Sequence, residues 1–166
     1  MIKSRFARSL FLGAAAAILA VSTASAAGPF QFFSVTPCRI VDTRGNGFSG
    51  LFGPPALSAG APRNFPITGQ CGIPSDAKAV ALNVTVVVPT LEGFIKIWPA
   101  NQALPAVSTI NFAAGEPAIA NGAIVPLALD NQGNTVQGNA QIAVVYGTAV
   151  PGGSAHLILD VTGYFK

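Results

Sequence analysis

The sequence predicts an all-β fold, a two-sheet antiparallel β-sandwich of jelly-roll-like or immunoglobulin-like kind behind an N-terminal signal peptide, and three observations predict it. Glycine and proline, 18 and 13 of 166 residues, recur too often for long helices to thread between them. The runs between them are short and rich in valine, isoleucine, threonine and phenylalanine, which suit a pleated surface. The clearest run, 78–88, sets Val80, Leu82, Val84, Val86 and Val88 on one face and Ala79, Ala81, Asn83, Thr85 and Val87 on the other.

Taken in order, the chain begins with Lys3, Arg5 and Arg8, an apolar run over 10–21, and the small-x-small cleavage pattern Ala24-Ser25-Ala26. This is a signal peptide over 1–26, too short for a membrane span, which takes about 20 apolar residues. Cleavage leaves 140 residues, 27–166, the size of a single domain. Phe30, Phe32 and Phe33 open it, either as a first strand that completes the core or as an arm that inserts into a neighbouring subunit. Strands are expected over 38–44, 63–67, 78–88, 94–98, 107–112, 120–127, 141–146 and 156–165, with a turn at 130–134. The segment 81–85, ALNVT, echoes 158–162, ILDVT, either as equivalent central strands of two packed halves or as a by-product of alternation. A small outer-membrane barrel is the rival, but two tyrosines and one tryptophan make poor aromatic girdles and the prolines interrupt the strands.

Charge and cysteine usage narrow the function. Three of nine basic residues leave with the signal peptide while all six acids stay, so the mature net charge is zero. No basic stripe remains for nucleic acid and no polybasic segment for a membrane surface, so neither is an expected partner, and the mature chain is expected to carry no transmembrane span. Cys38 and Cys71 are an even pair in an exported chain and suggest one disulfide, the alternative being two separate buried thiols. The expected location is secreted, extracellular or periplasmic, with cell-surface association. A surface built from amides and hydroxyls, short of charge, suits packing against copies of itself or a cell-surface polysaccharide, the two partners expected.

The stretch Thr36-Pro37-Cys38-Arg39-Ile40-Val41-Asp42-Thr43-Arg44 resembles the opening of a recurrent secreted bacterial module with the signature TPCR-[ILV]-VDTR. Further segments resemble it across nearly all of the mature chain, among them Gly69-Gln70-Cys71-Gly72-Ile73-Pro74, Ser108-Thr109-Ile110-Asn111-Phe112 and the ending Leu159-Asp160-Val161-Thr162-Gly163-Tyr164-Phe165. The resemblance implies a secreted β domain, found alone or attached to larger exported proteins, and names no activity.

The remaining residues offer little catalytic chemistry. Asp42 with Arg39 or Arg44 suits a charge-assisted tie on the glycine-rich turn that follows, or a face toward a sugar or carboxylate. Trp98, with Asn101 and Gln102 in the proline-flanked loop after it, suits an aromatic platform for a sugar ring or a core tryptophan. His156 is the one histidine, and a hydrolase would need it beside a nucleophile and a carboxylate. One histidine and two pairing cysteines cannot furnish three or four zinc ligands, and 130–134 lacks the EF-hand spacing. No metal, cofactor or catalytic residue is expected. Asp160, in an apolar strand, is expected to find an arginine or backbone partner. A non-catalytic structural or adhesive module is therefore the first expectation, a carbohydrate- or cell-wall-binding module the second, and an extracellular hydrolase the third.

Overall fold

The computed structural model describes residues 29–138 and 140–166; the expected signal peptide lies outside the described residues. Nine strands are formed among them: β1 Phe32–Asp42, β2 Leu57–Ser58, β3 Arg63–Phe65, β4 Ala79–Val87, β5 Gly93–Pro99, β6 Ile110–Phe112, β7 Ile119–Pro126, β8 Ile142–Gly147 and β9 Ser154–Phe165. Every expected strand is present. The first begins at Phe32, earlier than Cys38, so the phenylalanine stretch is part of β1 and pairs within its own chain.

The strands form two antiparallel sheets. The first runs β1-β9-β4-β7, with the two-residue β2 also on β9, and the second runs β3-β8-β5-β6. With β2 set aside, each strand pairs with its mirror image about the middle of the chain: β1 with β9, β3 with β8, β4 with β7 and β5 with β6. That is a long antiparallel ribbon wrapped into a sandwich, the jelly roll. The immunoglobulin alternative is set aside by this order, because there the sheets are made of ABED and CFG strands.

Alternation selects the inner faces. Val80, Leu82, Val84 and Val86 of β4 meet Leu157, Leu159 and Val161 of β9, and across the core lie Ile95, Ile142, Val144 and Tyr146 of the second sheet. The echo between 81–85 and 158–162 joins neighbours in one sheet rather than strands of two halves: Asn83 lies opposite Asp160, flanked by Leu82–Val161 and Val84–Leu159.

Two polar groups hold the loops. Arg63 donates to the carbonyls of Pro55, Leu51 and Gly53 at 2.6, 2.9 and 3.0 Å, fixing the segment before β2. Gln141 is buried with all its valences used: Oε1 accepts the Ile67 and Thr68 N–H groups, and Nε2 donates to Thr68 Oγ1 and the Val136 carbonyl. Gln141→Leu would strand two backbone donors, so a loss of about 2–3 kcal/mol is expected in urea unfolding, against about 1 kcal/mol for an ordinary hydrogen bond.

Candidate functional site

The signature residues gather where β1 ends. The last residue of β1, Asp42, is fully buried, and its carboxylate is saturated. Oδ1 accepts the Arg44 backbone N–H at 3.1 Å and Arg44 Nε at 2.9 Å; Oδ2 accepts Arg44 Nη2 at 2.7 Å, Arg39 Nη1 at 3.2 Å and Asn46 Nδ2 at 3.2 Å. The turn needs this tie, since Gly45, Asn46 and Gly47 all take positive φ, a region that Asn tolerates and glycine favours. The Arg44 guanidinium, with Asn46 and the Arg44 backbone N–H behind it, holds the Asp42 carboxyl far below the usual carboxylate range, against the upward push of burial.

Arg39 joins this turn to the centre of the sheet. Its Nε and Nη2 reach both oxygens of Asp160 at 2.7 and 3.1 Å, while Nη1 holds Asp42. Hydrogen bonding to Asp160 raises the Arg39 pKa further above its ordinary value. Asp160 therefore has the arginine partner expected of it. Two carboxylates share one guanidinium, and the depressed Asp42 carboxyl is the opposite of a general acid, whose pKa is raised.

Thr43 and His156 complete the group. Thr43 is buried; its N–H donates to the Leu157 carbonyl and its Oγ1 accepts the Leu157 N–H at 2.8 Å, so the side chain extends the ladder. The same hydroxyl lies 3.2 Å from His156 Nδ1, within hydrogen-bond reach. What His156 reaches is a buried threonine already engaged with backbone, which is not the arrangement of a Ser-His-Asp triad.

The Cys38–Cys71 disulfide is formed, with Cα atoms 5.8 Å apart, tying β1 to the loop ahead of β4. A surface depression lined by Pro37, Cys38, Arg39 and Asp160 lies beside it. From Cys38 to Arg44 the signature thus serves as staple, clamp, core and turn, and Leu159, Asp160 and Val161 of the closing segment meet it from β9.

Of the two readings of Trp98, the core tryptophan holds and the platform does not. Trp98 is only 8% exposed, packed against Ala143, Val145 and Ala100 on the outer face of the second sheet. Its Nε1 donates to the Gln102 carbonyl at 3.1 Å, and Asn101 Nδ2 donates to the Leu129 carbonyl at 2.7 Å. The three residues do come together, but the loop folds over the ring and leaves no face for a sugar.

Sequence reasoning missed the outer face of the first sheet, whose make-up follows from register. At one end Phe32 (β1), Phe165 (β9), Ala79 (β4) and Pro126 (β7) lie in one row, and Ser34, Gly163, Ala81 and Ile124 in the next. The Phe32 ring covers Gly163, where a Cβ would run into it, and lies 5.1 Å from the Phe165 ring. Phe32 and Ile124 remain 52% and 66% exposed, so this phenylalanine faces outward instead of completing the core. The third row is polar, Arg39, Asp160, Asn83 and Gly122. The face is thus apolar and low at one end, with a neutralised charge row across its middle.

Among the described residues, no group of three or more histidine, cysteine, aspartate or glutamate side chains is placed to hold a metal, and no helix is long and apolar enough to cross a membrane. No known family profile and no curated protein matches the chain. Among solved structures, the coat protein of Tobacco streak virus is similar over 84% of this chain and 90% of that chain, at 10% sequence identity and a TM-score of 0.36.

Proposed function

We propose that this chain is a non-catalytic, secreted structural or adhesive module that works through the outer face of its first sheet. The observation that carries the reading is the apolar end of that face, two rows over four strands broken only by Ser34, with exposed Phe32 and Ile124 standing above Gly163, Ala79 and Ala81. Exposed apolar patches of this kind mark contact surfaces. The charged groups supply no competing chemistry: Asp42, Arg39, Arg44 and Asp160 hold one another, and the net charge of zero expected once the signal peptide is removed favours association over repulsion. The disulfide fits an oxidising compartment outside the cytoplasm.

A carbohydrate- or cell-wall-binding module is the second reading, and Phe32 favours it: a half-exposed ring beside that of Phe165. The test is co-sedimentation of the purified mature chain with cell-envelope fragments and with isolated peptidoglycan. Retention on envelopes that falls at least about tenfold in Phe32→Glu/Ala81→Glu supports the adhesive face. Retention on isolated glycan in competition with free sugar moves the assignment to the second reading. Hydrolysis of ester, peptide or glycoside substrates that His156→Ala abolishes would overturn both.

A further inference from the structure

An unpaired sheet edge is a template for another strand, and proteins blunt such edges with bulges, charges, proline or short strands. Three of the four edges of this sandwich carry such protection. β1 shifts register twice, between Ser34 and Cys38 and between Arg39 and Val41, and holds Pro37 and Arg39 on its way. β3 and β6 are three residues long each. β7 has only Pro126, at its very end. It is eight residues long, its register with β4 is unbroken from Ile119 to Pro126, and it bears no charged side chain. Its surroundings in sequence are uncharged too: between Lys96 and Asp130 the one charged residue is Glu116.

Gly122, in the middle of β7, has no explanation within the protomer. It does not take positive φ, and a Cβ built on it meets nothing within 4 Å. A glycine in a strand interior weakens the strand, and where the strand is neither bulged nor bent it marks the close approach of another backbone.

We infer that β7 pairs antiparallel with β7 of a second copy about a two-fold axis at Gly122, so that the first sheets of two protomers run together. A strand paired with itself about a two-fold is antiparallel by symmetry, and the contact closes at a dimer. One residue then faces its own copy, and glycine is the residue that crowds least there. With Gly122 on the axis, Ile124 faces Ala120 and Ala123 faces Asn121, a larger side chain meeting a smaller one in each pair, while Val125 faces Ile119 as an apolar β-branched pair. A second copy is the occupant because an edge that carries no charged side chain meets no repulsion from itself. The inference rests on reading the domain as one that works by association, and it names the surface and the partner.

The experiment is light scattering on the purified mature chain, with three variants. A dimer mass is expected for the wild type. Gly122→Cys should form an intermolecular disulfide on mild oxidation, whereas Ile124→Cys, facing Ala120, should not. Gly122→Lys has room in the protomer and sets two like charges opposite each other, so dimerisation should weaken at least about tenfold. Thr162→Lys, exposed on β9, should leave the dimer intact. Circular dichroism melts verify that each variant folds. A monomeric wild type, equal cross-linking of the two cysteine variants, or a dimer indifferent to Gly122→Lys overturns the inference. Any of these leaves envelope retention, read through Phe32 and Ala81, to decide the adhesive function separately.

Discussion

Replacing Asp42 with alanine is expected to destabilise the domain by about 3–5 kcal/mol, the cost of breaking a buried, hydrogen-bonded ion pair. Five hydrogen bonds to its carboxylate disappear at once. Arg39 and Arg44 are about a third exposed and can turn to water, which sets the expectation toward the lower end of that range. The glycine-rich turn after β1 loses its anchor, so the Thr43 contacts to Leu157 should loosen with it. The pH dependence follows from the depressed Asp42 pKa. A carboxyl lower in the folded state than in the unfolded one, near 4, contributes stability in full above that value and loses it as pH falls below. Urea unfolding at pH 7 and pH 3 should therefore show a loss about 1 kcal/mol larger for the wild type than for Asp42→Asn, the other acids being common to both. Equal losses would mean that Asp42 is not held as an anion by its arginines.

Removing the disulfide is the second large perturbation. Cys38 and Cys71 are 33 residues apart, and loop-closure arithmetic for that length gives about 3–4 kcal/mol. Cys38→Ser/Cys71→Ser should lower the melting temperature by about 10 °C, and reductant should do the same to the wild type but not to the variant. The loss should be concentrated at β1 and the 67–74 loop, readable as faster amide exchange there. A melting temperature unchanged by reductant would contradict the staple.

Most of the fold was legible because apolar residues alternate along its strands, strictly so in β4, and a period of two has one physical meaning. The two-residue β2 was not legible, since Leu57-Ser58 is too short to show a period. Nor was the choice between sandwich types, which depends on which strands pair and not on where they lie. The Asp160 partner was legible as an arginine because a carboxylate inside an apolar strand needs one; that it is Arg39, 121 residues away, came only with the β1–β9 register. For Trp98 the sequence left a platform and a core residue both open, because the loop that buries it acts through backbone carbonyls, which leave no mark in side-chain pattern. Gln141 went unnoticed for the same reason: its value lies in two backbone N–H groups more than 70 residues earlier. The apolar outer face escaped because its members come from four strands, one or two from each, and only register assembles them.

The central claim is that the first sheet's outer face is the working surface. Co-sedimentation of the mature chain with cell-envelope fragments, wild type beside Phe32→Glu/Ala81→Glu and with matched melting curves, tests it most directly. Retention of the wild type and release of the folded double variant is the predicted result. Equal retention of the two, or none by the wild type, would contradict it.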